Sequence, residues 1–489
     1  MNQYWILAAI VLPVLGGIGI PLLPFRKRGW MLLYIEALVL LTSGIVAALL
    51  LGGTTETLHV VHFVNDLSIS FKIDGLSMVF AGLIAVLWPL ATLYAFEYMT
   101  HEEHEKSFFM FYTMTYGVTL GIAFASDIMS MYFFYELLTL VTVPLVMHTL
   151  TREAILAVRK YLYFSIGGAA FALMGMIFVM VYGYTCEFQL GGVFSSIGIL
   201  RHGDLLLWIY LFSFMGFGVK AAVWPMSSWL PQAGVAPTPV TALLHAVAVV
   251  NAGAFAIIRL TYYSFGTEFL RGTWVQDVCM GLTMFTIVYG CSRAVKETHI
   301  KRRLAWSTVS NLSYILFGAL VMTPQGLIGA LAHFVFHGFM KITSFLCAGA
   351  FMHQTGKSQV YEMDGLGKKM KIVFGAFAIS AFGLMGVPGF AGFISKWNLT
   401  AAAVESGNML AYVGIVCLLV SALLTAIYML GVVSRAFFPS TESAVRETVR
   451  DPGWQMCLPI LVCAAVTVIM GLWAEPLIDF FRAVAWGVL

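Results

Sequence analysis

Charged side chains are scarce in this sequence. Asp, Glu, Lys and Arg make up 10% of its 489 residues, against 60% hydrophobic ones, whereas a soluble domain carries about 25% charged residues. That scarcity excludes a soluble globular chain. Nucleotide-handling signatures are missing as well. No G-x-x-x-x-G-K-[ST] occurs, so the chain does not burn a nucleotide triphosphate, and no G-x-G-x-x-G lies between a strand and a helix to bind a dinucleotide. The seven cysteines (Cys186, Cys279, Cys291, Cys347, Cys417, Cys457 and Cys463) are scattered and none forms C-x-x-C. This leaves no cysteine-held zinc or iron–sulfur site, and they read as small core residues. The "HEEHEK" stretch at His101–Lys106 is neither H-E-x-x-H nor H-x-x-E-H and reads as a solvated turn. No cofactor, metal or catalytic residue is expected.

What the chain has instead is apolar runs. A bilayer span needs roughly 20 mostly apolar residues, and by that ruler there are about fourteen. They lie near 4–24, 30–52, 74–97, 108–125, 128–150, 161–184, 205–225, 238–263, 273–292, 304–323, 326–351, 372–395, 409–435 and 454–482. Gly, Pro and short charged clusters separate them. The expected fold is therefore an all-α polytopic membrane protein with no room for a soluble catalytic domain.

The first run carries no positive segment before it, and Arg26-Lys27-Arg28 follows it, so it reads as a span and not as a cleaved leader. An even number of spans with both ends outside puts most of the 27 Lys and Arg on inner loops or inner helix ends, as the positive-inside rule asks. Lys301 and the rest of "HIKRRLAWSTVSN" fall there, setting orientation or docking a partner and not binding nucleic acid. Lys72, Arg201, Arg271 and Arg482 fall outside. Lys220, Arg259, Lys341 and Lys396 are left in or near the apolar runs.

An ionisable residue inside a membrane costs roughly 2.5–3.5 kcal/mol on insertion scales and persists where it faces a wet cavity or a partner. Glu136 in "MYFFYELLTLVTVPLVMH" reads as a proton-accepting carboxylate, with a helix–helix bond as the plainer alternative. Lys220 in "GVKAAVWPMSSWLPQAGVAPTP" shares a segment with Pro225, which frees the carbonyl of Ala221 one turn back. Burial penalises a charged lysine and lets it exchange a proton near neutral pH. A movable Glu136–Lys220 pair would be a switch, a static one only a packing device. His245 in "TALLHAVAVVNAGAFAIIRL", with Asn251 six residues on, is either a relay group or a satisfied core histidine. His333, His337 and Lys341 in "LAHFVFHGFMKITSFL" are spaced i, i+4, i+8, one helix face within about 12 Å. That stripe suits a proton wire better than a metal or haem site, because the lysine would repel a cation.

Lys396 follows Pro388-Gly389 and Gly392 in "GLMGVPGFAGFISKWNL". This segment and the one around Pro225 both combine a proline, small residues, a lysine and a tryptophan, about five spans apart. An odd offset makes them members of inverted repeats, and paired interrupted helices mark binding sites in transporters.

Seven stretches then resemble a known family: "FKIDGLSMVF" (71–80), "YFFYELLTL" (132–140), "KYLYFS" (160–165), "KAAVWPMSSWLPQAGVAPTPVTALLHA" (220–246), "KRRLAWSTVSNLSYI" (301–315), "HFVFHGFMKITSFLCAGA" (333–350) and "GVPGFAGFISKWNL" (386–399). The chain is similar to the antiporter-like membrane subunits shared by respiratory complex I, Mrp-type Na⁺/H⁺ antiporters and membrane-bound hydrogenases. The resemblance implies fourteen helices, with helices 7 and 12 broken and two inverted five-helix repeats. It divides the chain into 1–107 (helices 1–3), 108–264 (helices 4–8), 265–436 (helices 9–13) and 437–489 (helix 14). It assigns a gating pair to Glu136 and Lys220, a relay position to His245, the central cluster to His333, His337 and Lys341, and the exit lysine to Lys396. Some members carry lysine where Asn251 stands and glutamate where Lys396 stands, which leaves the relay order in the middle open. The chain ends soon after its last span, unlike the largest complex I subunit with its long lateral helix.

The function expected is proton translocation along a buried Glu–Lys–His relay, by a subunit of a larger complex in a prokaryotic cytoplasmic membrane. Whether Na⁺ moves as well as H⁺ stays open. Two like charges at 4 Å repel by about 4 kcal/mol at an effective dielectric of 20, enough to push a proton onward. The driving energy must come from other membrane subunits, homologous antiporter-like ones among them. The alternatives are a stand-alone secondary solute transporter and a quinone-binding redox subunit.

Overall fold

The computed structural model describes residues 3–53, 56–63, 67–439 and 449–488. Helices α1 (Tyr4–Leu22) and α2 (Arg28–Gly52) lead to an antiparallel hairpin, β1 (Leu58–His62) and β2 (Ser68–Phe71), that pairs Leu58 with Phe71. Next come α3 (Gly75–Tyr98), α4 (Glu105–Phe124), α5 (Ile128–Val146), α6 (Arg152–Tyr182) and α7 (Ser196–Gly218). A short α8 (Trp229–Gln232) precedes α9 (Thr238–Ala246), α10 (Val249–Ile258) and α11 (Thr267–Leu270). The chain closes with α12 (Trp274–Lys296), α13 (Ile300–Leu320), α14 (Pro324–Thr355), α15 (Lys371–Met385), α16 (Ala391–Glu405), α17 (Met409–Phe437), α18 (Trp454–Leu472) and α19 (Glu475–Ala485). Among the described residues, 12 helical segments are long and apolar enough to cross a membrane, and the protein is an all-α polytopic membrane protein.

Helix starts are written locally. Asp74, Asp127, Thr151, Ser195 and Thr323 each accept a backbone N–H in the first turn of α3, α5, α6, α7 and α14, satisfying donors that would otherwise be orphaned in an apolar medium. At the centre stands α14. It packs against α3, α9, α13, α15, α16, α18 and α19, and its apolar window is wholly buried. A helix surrounded by protein in this way is the one place where polar side chains can line up without meeting lipid.

The structure corrects three of the expected runs. The run 205–225 stops being helical at Gly218, so Lys220 lies in the break and not in the helix before it. The run 238–263 is interrupted at Val247 and Ala248 and then widens into a π-helix over Arg259–Phe265. The run 454–482 is two elements. Helix α18 ends at Leu472, and α19 is an amphipathic helix that buries Phe481 and Val484 against its neighbours. Hydropathy alone merges α18 and α19 because the apolar face of an amphipathic helix scores like a span. Lys301, expected on an inner loop or helix end, is in the first turn of α13 but only 4% exposed, its Nζ donating to the Ala236 carbonyl at 2.8 Å.

Candidate functional site

Three helix breaks interrupt the bundle, with Lys220 inside the first, His245 just before the second and Lys396 just after the third. In the first, α7 ends and the chain runs non-helically from Val219 to Pro225, with Ala222 in the left-handed region and Trp224–Pro225 cis. The freed Val219 carbonyl accepts the Trp229 indole N–H at 2.8 Å, and the Trp224 N–H donates to the Thr286 hydroxyl at 3.0 Å. Irregular backbone at membrane depth survives only with such substitutes. Lys220 is 1% exposed. Its ammonium donates to the Tyr135 carbonyl and sits 3.4 Å from the centre of the Tyr135 ring. Glu136 is the next residue of α5. Its Oε1 is buried and unpartnered, and no Glu136–Lys220 ion pair forms among the described residues, although each charge acts on the other.

The second break separates α9 from α10. His245 lies just before it, fully buried, its ring stacked on Phe345 of α14 at 4.8 Å and neither ring nitrogen hydrogen-bonded. Asn251 donates its amide to the Ala246 carbonyl at 2.9 Å, filling the place of a lost helical donor, while its Oδ1 stays unpartnered. Backbone packing here is tight. A Cβ on Gly253 would fall 2.4 Å from the Ala221 nitrogen and 2.8 Å from the Lys220 carbonyl carbon. Only glycine lets α10 approach the first break so closely.

Along α14, the rings of His333 and His337 stack at 5.8 Å, and His333 also stacks on Tyr314 at 5.1 Å. His333 Nδ1 is 2.9 Å from the Ser395 hydroxyl, while neither His337 nitrogen has a partner. Lys341 donates to the Ser307 hydroxyl at 2.5 Å and the Leu304 carbonyl at 3.2 Å. His337 is within electrostatic reach of His333, Lys341 and His245, and His333 of Lys341 and Lys396.

The third break, Gly386–Phe390, joins α15 to α16. Gly386 and Gly389 have φ of +87° and +91°, conformations open to glycine, and Pro388 stands between them. Lys396 reaches back from α16 to donate to the carbonyls of Leu384 at 2.6 Å and Met385 at 2.9 Å, the negative end of α15.

The structure thus brings His245, His333, His337, Lys341 and Lys396 together around α14, while Glu136 and Lys220 form a separate group joined to it through the Gly253 contact. The buried lysines Lys220, Lys301 and Lys341 and the half-buried Lys396 donate only to carbonyls and hydroxyls in the bonds described. The contrast is Arg259, which forms a two-pronged bond to Asp74 and lies near the rings of Phe188, Phe255 and Tyr263. Sequence reasoning flags Arg259 as misplaced but misses its partner, although Asp74 lies inside the motif "FKIDGLSMVF". It also misses Ser307 and Tyr428, which no sequence signal sets apart from other core hydroxyls.

Residues 125–425 match the family model described as NADH:quinone oxidoreductase/Mrp antiporter, TM. Residues 62–109 match the one described as NADH-Ubiquinone oxidoreductase (complex I), chain 5 N-terminus. The NADH-quinone oxidoreductase N subunit of Desulforudis audaxviator is 30% identical over 474 residues, covering 93% of this chain and 92% of that one. A Na(+)/H(+) antiporter subunit from Alkalihalophilus pseudofirmus is 30% identical over 379 residues, 74% of this chain but 46% of the relative. Among solved structures, the archaeal membrane-bound sulfane sulfur reductase aligns with a TM-score of 0.85 at 21% identity, over 99% of this chain and 97% of that one. The Mrp complex of Dietzia sp. aligns with a TM-score of 0.84 at 21% identity and the same coverage. Taken with the broken helices and the buried basic row, these matches establish that the chain belongs to the NADH:quinone oxidoreductase/Mrp antiporter family of membrane proteins.

Proposed function

We propose that this chain is a proton-translocating subunit of a multisubunit membrane complex, with Glu136, Lys220, His245, His333, His337, Lys341 and Lys396 as its proton carriers. One observation carries the reading. The buried lysines face neutral carbonyls and hydroxyls, so each can lose or regain its proton without breaking an ion pair. A structural buried charge is instead paired, as Arg259 is, because an unpaired one is costly. The helix breaks supply the polar backbone that such carriers need at membrane depth.

The finer reading follows from it. Counting α13 and the α15–α16 pair with the 12 apolar segments gives fourteen spans. Residues 108–264 and 265–436 form the two inverted repeats, and Pro225, Pro388 and Gly389 mark their equivalent breaks. Both termini lie outside a prokaryotic cytoplasmic membrane. The partners are other membrane subunits, homologous antiporter-like chains among them. H⁺ is the ion carried, and a relative named for Na⁺/H⁺ antiport makes Na⁺ the ion to test beside it.

The test uses the assembled complex in sealed vesicles, with a pH-sensitive dye reporting flux. Lys220→Ala and Lys341→Ala are each expected to abolish flux while the variant chains still co-purify with their partners. Wild-type flux in an assembled Lys220→Ala complex would refute the relay.

A further inference from the structure

A surface cavity opens beside α17, lined by Thr298, Arg303, Tyr361, Tyr428, Gly431 and Arg435 among others. Both arginines that line it are engaged. Arg303 donates to the carbonyls of Glu297 at 2.8 Å and Tyr428 at 3.1 Å, and Arg435 pairs with Asp364 at 3.3 Å. Tyr428, 1% exposed, is the buried residue among those named in the lining. Its hydroxyl donates to Ser307 Oγ at 2.6 Å, and Ser307 Oγ is in turn 2.5 Å from Lys341 Nζ. The Tyr428 hydroxyl also lies 3.2 Å from Thr425, whose neighbours Ser421, Cys291 and Ser310 continue a buried group of hydroxyls and one thiol.

We propose that Tyr428 and Ser307 form a proton-access route joining this surface cavity to Lys341. The inference rests on Lys341 being a proton carrier. In the arrangement present, Lys341 donates to Ser307, as a charged lysine must. When Lys341 is neutral, its amine accepts instead. Water in the cavity then gives a proton to Tyr428 Oη, the Tyr428 hydroxyl proton passes to Ser307 Oγ, and the Ser307 proton passes to Lys341 Nζ. One O–H bond breaks and one forms at each hydroxyl, and the net change is one proton moved from bulk water to the lysine. Tyr428 and Ser307 need no charge of their own, because each serves as donor and acceptor at once. Gly431 makes the cavity adjustable, since nothing lies within 4 Å of a Cβ added there.

The experiment compares Tyr428→Phe, Ser307→Ala and Gly431→Trp with Lys341→Ala in the assembled complex in vesicles. Phenylalanine keeps the ring and removes the hydroxyl, while tryptophan fills the cavity from a position with room for it. Gly44→Trp on the exposed face of α2, where an added Cβ also meets nothing, is the control and should leave flux unchanged. The route predicts at least a tenfold fall in flux for all three test variants, with normal co-purification of partners. If Lys341→Ala is inactive and all three keep flux within twofold of wild type, the route is overturned and the relay stands. If Lys341→Ala itself keeps wild-type flux, the relay reading fails and takes the route with it.

Discussion

Arg259 clasps Asp74 with both arms of its guanidinium, Nη1 at 2.5 Å from Oδ2 and Nη2 at 2.8 Å from Oδ1. The pair ties the π-helical end of the α10 segment to the first turn of α3, 185 residues away in sequence, and Nη2 also donates to the Ser77 hydroxyl at 3.0 Å. Of the four charges that the sequence leaves in or near the apolar runs, Arg259 is therefore the one paired with a carboxylate in the bonds described. Its role is to fix two helix ends, whereas Lys220, Lys341 and Lys396 donate to neutral acceptors in the bonds described.

Removing that clasp should be costly. Arg259→Leu leaves Asp74 without its cation, and breaking a buried pair costs about 3–5 kcal/mol. Asp74 is 23% exposed, which places the loss toward about 3 kcal/mol. Arg259→Lys keeps the charge but gives up the two-pronged geometry and should lose less. The thermal midpoint of the detergent-solubilised protein reads both. An Arg259→Leu midpoint equal to wild type would remove the clasp from the supports of the fold.

The same pair sets an acid limit. Burial alone would raise the Asp74 carboxyl, but the Arg259 guanidinium and the Ser77 bonds outweigh it and hold the group below the usual carboxylate range. A depressed folded value gives stability that is present above the unfolded value of about 3.9 and is lost as pH falls through the folded one. The thermal midpoint is therefore expected to drop below about pH 4, with a shallower drop in Asp74→Asn. Identical acid profiles for the two proteins would show that the carboxylate contributes nothing there.

Most of the bundle was legible in the sequence because a membrane helix announces itself by length and composition. The lysines and histidines were legible for the same reason, since a charge in an apolar run is rare enough to stand out. The breaks were less so. Pro225 and Pro388 pointed to two of them, but the break at Val247 and Ala248 falls in a run with neither proline nor glycine at the site, and only the Asn251 side chain marks it. Tyr428 and Ser307 gave no signal, because hydroxyls are common in buried helices and only their contacts set these two apart. The Asp74–Arg259 clasp was invisible for a related reason: pairing between distant helices depends on tertiary approach.

Asn251 should act as a structural donor at the break. Asn251→Ala removes the bond to the Ala246 carbonyl and leaves that acceptor buried, a loss of about 1–3 kcal/mol. Asn251→Asp should be worse, because a carboxylate oxygen would face the carbonyl oxygen where the amide now donates. The order wild type, Ala, Asp in thermal midpoint and in flux is the expected outcome. Equal values for Ala and Asp would mean that the amide bond does not hold the break.

Helix α10 positions Lys220 through one close approach. The three atoms nearest a Cβ on Gly253 would be backbone of the first break and the root of Lys220, at 2.4–3.0 Å, and none is a flexible chain end that can swing aside. Interiors packed to crystal-like density transmit such a push. Gly253→Ala should therefore displace the segment that holds the Lys220 ammonium on the Tyr135 carbonyl. Flux is expected to fall at least tenfold, with Gly44→Ala, on an open helix face, unchanged. Assembly separates the two ways this can happen. Loss of flux with partners still bound means that Lys220 has been moved off its acceptor, and loss of both means that the contact is also needed for the fold. Wild-type flux and yield in Gly253→Ala would show that the break yields to α10, and the close approach would then have no part in placing the lysine.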